Sequence, residues 1–169
     1  MGSLARRRSA ARTVRAQATI GDTLAKLMTA PPMNWTLEMV PLPVSDMESA
    51  VHFYSEKLGF NLDFDFGEGA DRFAQLTPPG SGCSIQIRPS SPEGDPGSID
   101  GLQLVVNDLR RAHRELSGRG VDVEPMQIYG KGGTSRAAID DDQLDNVGIF
   151  HFEDPDGARW AVQQISSRP

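Results

Sequence analysis

The spacing of apolar and polar positions changes along the chain, and each change marks an element. "TLEMVPLPV" (36–44) is an apolar run with Thr and Val, and predicts a strand whose prolines suit a sheet edge or an irregular end. In "SDMESAVHFYSEKLGF" (45–60) the period lengthens: Met47, Ala50, Val51, Tyr54 and Leu58 fall on one helical stripe. Ser45 with Glu48 reads as a capping box, and Gly59 is placed to end the helix. "FNLDFDF" (60–66) alternates apolar residues with polar ones, as a half-buried strand does. "DRFAQLT" (71–77) and "CSIQIRP" (83–89) are two more strands, joined by the turn "PPGSG".

The stretch 90–100, "SSPEGDPGSID", has Pro, Gly and Ser without periodicity and reads as a linker. After it the order repeats. "LQLVV" is a strand, and "NDLRRAHRELSGRG" is a helix with Leu109, Ala112 and Leu116 on one face, capped by Asn107 or Asp108. "VDVEPM" is a strand, and after a long loop (129–146) come "NVGIFHF", a Pro-Asp-Gly turn and "RWAVQQ". Ser45-Asp46 lines up with Asn107-Asp108, and Gly59-Phe60 with Gly120-Val121. The expected fold is therefore α+β: paired βαβββ modules forming a cup-like mixed sheet with the helices outside, and a central cavity where the halves meet. Module one spans 34–89 and module two 101–165, within a single domain 33–169.

Composition narrows the function. The chain carries a formal charge of -6, yet residues 1–32 hold six Lys or Arg and one acid, Asp22. The acidic body is a poor match for phosphate, so no nucleic-acid partner is expected. The basic, Ser- and Ala-rich start has the composition of an organelle transit segment; it reads equally as a disordered extension, or as sequence ahead of a domain opened by Met33. No apolar run reaches the roughly 18 residues of a membrane helix, so no membrane partner is expected. Cys83 is the single cysteine and gives no disulfide framework. These features suit a cytoplasmic protein, or an organellar one if residues 1–32 are a transit segment.

"PVSDMESAVHFYSEKLGF" early and "FEDPDGARWAVQQ" late resemble the vicinal oxygen chelate superfamily, which includes glyoxalase I, bleomycin-resistance proteins and extradiol dioxygenases. The resemblance covers about residues 34–165. It implies metal ligands on the first and last strand of each half, and those positions fall here on Met39, on Ser84 or Gln86, on Gly101 and on Ala161. Met39, Gly101 and Ala161 lack the oxygen or imidazole donors that such metals take, so no metal ligand and no cofactor is expected. The cavity is then expected to be apolar with a few polar groups, a site for a small organic ligand. Carrying the family's inward positions across, with alternation along each strand, assigns its lining to Met39, Gln86, Gln103, Ile149, Arg159 and Gln163, with His151 among them.

His151 is the candidate for chemistry, since an imidazole with an ordinary pKa of about 6.5 moves protons near neutrality. The competing reading is a hydrogen-bonded interior histidine or a ligand anchor, because no carboxylate can be assigned from sequence to orient its ring. Tyr54 belongs to the helix stripe and the core, and Asp154-Pro155-Asp156-Gly157 is ordinary turn chemistry. His52 falls off its stripe, and His113 lies at a helix–sheet boundary. Lys131 and its glycines do not meet the phosphate-loop order, and Asp140, Asp141, Asp142 and Asp145 lack the glycine and glutamate of a calcium loop. The long loop is expected to act as a flap over the cavity. Two functions follow: a metal-independent binder of a hydrophobic organic ligand, like bleomycin-resistance proteins, or an isomerase, cyclase or lyase using His151. A metal-dependent glyoxalase or dioxygenase lacks its ligands. The resemblance also implies a homodimer.

Overall fold

A computed structural model of the chain describes residues 33, 35–89, 94–130 and 132–167. The expectations for residues 1–32, for part of the linker and for Lys131 lie outside these residues. The chain divides into two units, 1–35 and 36–169, and every described helix and strand belongs to the second. Among the described residues no helix is long and apolar enough to cross a membrane.

The fold is α+β. Its strands form two mixed sheets, one per module. The first contains β1 (Met39–Pro43), β2 (Asn61–Phe66), β3 (Phe73–Thr77) and β4 (Ser84–Arg88) in the order β1-β4-β3-β2. The second contains β5 (Asp100–Val106), β6 (Gln127–Tyr129), β7 (Ser135–Ala137), β8 (Gly148–Glu153) and β9 (Arg159–Gln164) in the order β5-β9-β8-β6-β7. In each sheet the first and last long strands of the module pair in parallel, β1 with β4 and β5 with β9. A helix follows the first strand of each module: α1 (Met47–His52), which widens into a π turn over Phe53–Lys57, and α2 (Leu109–Gly118).

The repeat is visible at single atoms. Asp46 Oδ1 accepts from Ser49 N at 2.7 Å, and Asp108 Oδ1 accepts from Arg111 N at 2.9 Å, the same cap on both helices. Each is worth about 1 kcal/mol. The expected cap at Ser45 is therefore moved by one residue. Asp46 has the extended backbone of a cap, and Glu48 reaches out to Arg72 instead of back to the helix start. Further on, Lys57 Nζ donates to Arg119 O at 2.6 Å and Arg119 Nη1 donates to Lys57 O at 3.3 Å, so equivalent residues of the two modules exchange hydrogen bonds.

The core runs through both modules. Tyr54 and Phe60 of the first pack on Trp160 of the second with ring centroids 5.9 and 6.1 Å apart, and Phe152 stacks on Trp160 at 6.1 Å. All four are buried, and burying a side chain of this size is worth about 1.5–3 kcal/mol. Leu42, Ala74, Leu76, Ile85 and Ile87 form the core side of the first sheet, and Phe150, Phe152, Trp160 and Val162 that of the second.

Three local expectations change. "FNLDFDF" forms β2, but every residue of the strand is exposed rather than half-buried. It pairs only with β3, so it is an edge strand. "VDVEPM" contributes only a bridge from Val123 to Phe152, and the strand lies further on, at β6. Pro125 lacks the N–H a ladder needs, which favours the shift. The loop expected over 129–146 is partly ordered: β6 and β7 form a hairpin, and Arg136 closes on Asp142 at 2.6 Å.

Candidate functional site

Each sheet has a core face and a face turned away from it, and the expected site residues lie on the latter. In the second sheet the registers Gln103↔Ala161 and His151↔Ala161 set these three residues in one row. Val105, Gln163 and Ile149 make the next, through Val105↔Gln163 and Ile149↔Gln163. Arg159 and Glu153 face each other on the opposite side of the Ala161 row. Five of the seven expected residues therefore share a surface: Gln103, Ile149, His151, Arg159 and Gln163. Met39 and Gln86 lie on the first sheet, where Met39 pairs with Ser84 and Pro41 with Gln86. The seven do not line one cleft in the described residues of a single chain. A cleft of about 650 Å³ lies between the 78–83 turn and β5, and of the seven only Gln103 reaches it.

The amides on the second sheet hold each other. Gln103 Nε2 donates to Gln163 Oε1 at 2.6 Å, and Gln163 Nε2 donates to Asn146 O at 3.2 Å. This chain fixes which end of each amide faces outward.

His151 has a carboxylate that strand reading did not supply. Glu124 N donates to His151 O at 2.8 Å, and that backbone bond brings Glu124 Oε2 to 3.6 Å from His151 Nδ1. Glu124 also accepts from Arg159 Nη2 at 3.0 Å, so one carboxylate is shared between a ring and a guanidinium. Burial and the nearby Arg159 hold the imidazole below its usual range, against the opposing pull of Glu124 and Asp100. The folded state thus disfavours the protonated ring. An unfolded chain takes up this proton near pH 6.5. The folded chain takes it up only lower, so this group's contribution to stability is lost as pH falls from about 6.5 through the folded value.

A proton-resonance titration of the ring tests this balance. Arg159→Gln removes the repelling cation and is expected to raise the midpoint; Glu124→Gln is expected to lower it further. If Arg159→Gln left the midpoint where it was, Arg159 would not be setting the charge of His151.

The other histidines behave as their positions suggest. His52 is exposed, and His113 bonds Glu124 O through Nε2 at 3.1 Å and meets Phe150 edge-on. Tyr54 is fully buried, and Asp154 organises its turn through Asp156 N and Ala158 N. Cys83 is part-buried, with Sγ directed at Ser84 O.

The four positions where the family resemblance implies metal ligands do not suit a divalent cation. Met39 offers a thioether, Ala161 nothing, and Gln86 has its amide oxygen taken by Arg88 Nη2 at 2.9 Å. Gly101 has no side chain and sits in a bulge of β5, between the pairs Asp100↔Arg159 and Leu102↔Trp160, with φ 85. Few L residues adopt that backbone, so even a replacement side chain would need the strand to be rebuilt. Among the described residues no group of three His, Cys, Asp or Glu is placed to hold a metal ion.

The first sheet shows a feature the alternation concealed. Phe64, Phe66 and Phe73 cluster on the face away from the core, with Phe73 at 5.7 Å from Phe64 and 6.1 Å from Phe66. Gln75 and Gln86 pair beside them. The signal available in sequence was the excess of aromatics on a strand that also carries Asp63 and Asp65.

The model of the Glyoxalase/Bleomycin resistance protein/Dioxygenase superfamily matches residues 33–162. Among solved structures, the chain is similar to TnmS3, an antibiotic binding protein from Streptomyces sp. CB03234, at 29% identity and TM-score 0.62, covering 80% of this chain and 100% of that one. A glyoxalase/bleomycin resistance protein from the same organism is 29% identical, with TM-score 0.58 over 76% of this chain and 100% of that one. A superfamily member from Sphaerobacter thermophilus DSM 20745 is 25% identical, with TM-score 0.60 over 79% and 99%. No curated protein matches.

Proposed function

Since the chain belongs to the Glyoxalase/Bleomycin resistance protein/Dioxygenase superfamily, we propose that it is a metal-independent binder of a hydrophobic organic ligand, holding it stoichiometrically rather than transforming it. The observation that carries this reading is the donor set: where the family resemblance implies ligands, this chain has Met39, Gly101 and Ala161. The likeness to an antibiotic binding protein supports the same class of ligand. Around the vacated corners stand apolar side chains and the amides Gln86, Gln103 and Gln163, a composition that suits a ligand with hydrogen-bonding groups on a greasy frame.

The two away-facing surfaces each carry part of the lining set. A second copy of the chain, setting the first sheet of one protomer against the second sheet of the other, completes an enclosed site. This homodimer is part of the proposal. Ligands of the enclosed site then add at two per dimer, and sedimentation with and without ligand reads the assembly directly.

The rival is an isomerase, cyclase or lyase that uses His151 as acid or base, and the proximity of Glu124 favours it. Arg159 weakens that case by drawing the same carboxylate away, at 3.0 Å against 3.6 Å for the His151 ring. His151→Ala separates the two. A binder loses roughly tenfold in affinity, one lost hydrogen bond to a buried ligand group, with no product formed by either protein. Turnover by the wild type that collapses in His151→Ala at little cost in affinity would establish the enzyme instead.

A further inference from the structure

The first sheet holds an arginine with no anion. Arg88 closes β4, and its Nη2 donates to the amide oxygen of Gln86, which places the guanidinium on the face away from the core. Its Nε is buried and has no hydrogen-bond partner. Arg72, Arg111, Arg136 and Arg159 each reach a carboxylate. Arg88 reaches none among the described residues. A half-buried guanidinium without a counter-charge is an unfavourable arrangement, and an anion placed against its terminal nitrogens relieves the arrangement.

The surroundings say which kind of anion. The register Ala74↔Ile87, continued by one position, sets Arg88 beside Phe73, and Phe73 pairs with Phe66. Phe66 is 70% exposed and Phe64 is 42% exposed, so the aromatic cluster presents ring surface outward next to the guanidinium. Ring faces of this kind take up a planar aromatic by offset or edge-on stacking. The whole chain carries a formal charge of -6, so an anionic molecule is disfavoured over most of its surface and welcome only at a local cation.

We infer that Arg88 and the Phe64, Phe66 and Phe73 cluster form the recognition surface for an aromatic ring bearing an anionic oxygen, a carboxylate or an acidic phenol. The ring lies on the phenylalanines and the oxygen takes the free edge of the guanidinium. This inference rests on the binding reading above and names its ligand class. Arg88 is then a specificity-determining residue, selecting charge, while the phenylalanines select planarity.

The experiment uses the full chain and two probes that differ only in charge, 2-naphthoate and 2-naphthamide, followed by titration calorimetry. The wild type is expected to prefer the carboxylate by about tenfold, the scale of one charge-assisted hydrogen bond. Arg88→Gln abolishes the preference, bringing carboxylate affinity down to that of the carboxamide. Phe66→Ala, at an exposed position that the fold tolerates, weakens both probes alike. Arg88→Lys retains part of the preference and guards against a glutamine variant that fails to fold.

Equal affinity for the two probes in the wild type overturns the inference, and so does a preference that survives in Arg88→Gln. If Arg88→Gln instead dissociates a dimer without changing the charge preference, the arginine belongs to a partner's carboxylate and the inference falls. Should uncharged antibiotics bind while both probes do not, the binding function stands and this assignment fails alone. Failure of every organic probe removes both.

Discussion

Asp154→Ala is expected to cost the fold about 3–5 kcal/mol, the range for emptying one side of a buried hydrogen-bonded charge. The carboxylate is 6% exposed and is used on both oxygens. Oδ2 accepts from Tyr54 Oη at 2.6 Å, and Oδ1 accepts from Asp156 N at 3.0 Å and Ala158 N at 2.8 Å. Alanine leaves one hydroxyl and two backbone N–H groups without partners. It also cuts a buried polar link between the modules, since Tyr54 is on the first and Asp154 on the second. Tyr54→Phe removes one of these bonds and is expected to cost about 1.5–3 kcal/mol. Asp154→Asn, which keeps an acceptor, falls between. Urea unfolding monitored by tryptophan fluorescence reads these losses, and a deficit below about 1 kcal/mol for Asp154→Ala would show that the turn is held by other contacts.

The same pair makes stability depend on alkali. Burial first, then the charge of Asp154, holds the Tyr54 hydroxyl protonated far beyond its usual range. An unfolded tyrosine ionises near pH 10. The stabilisation is therefore complete below that value and drains away as pH rises above it. Tyr54→Phe is expected to flatten the slope above pH 10, and an unchanged slope would locate the alkaline sensitivity elsewhere.

Gly97→Ala is the second large effect, expected at about 2–4 kcal/mol from strain and overlap together. Gly97 has φ +74, and a Cβ built there would lie 2.1 Å from the carbonyl oxygen of Asp156. That oxygen belongs to the turn that Asp154 organises, so it cannot retreat without loosening the Asp154 bonds. Gly101→Ala is the control. Its φ is +85, but nothing lies within 4 Å of the added atom, so only the backbone penalty of about 1–2 kcal/mol applies. Equal losses in the two variants, by thermal unfolding, would mean that the contact with Asp156 carries no weight.

Much of the architecture was present in the residue pattern. The helical stripe through Met47, Ala50 and Tyr54 and the two-residue alternation of β8 and β9 follow from local geometry, because backbone conformation sets where successive side chains point. The duplication was legible for the same reason: equivalent elements need equivalent local signals. The poverty of metal donors at Met39, Gly101 and Ala161 is a matter of residue chemistry, which no folding alters.

Other features were decided only by the assembled chain. Alternation in β2 is the same whether Phe64 and Phe66 meet a core or face outward; its place at the sheet edge, away from the helices, made them exposed. Glu124 meets His151 through a backbone bond between residues far apart in sequence, within a proline-disturbed segment that forms only a bridge. Gly97 lay in a stretch without periodicity, and only its approach to Asp156 gives it a task. Local pattern is governed by bonds within a few residues, whereas these contacts depend on which distant segments pair and in what register. That is why the chain announced its two modules and its poverty of metal donors at Met39, Gly101 and Ala161, and why tertiary packing alone set Glu124 at His151 and Arg88 beside open aromatic rings.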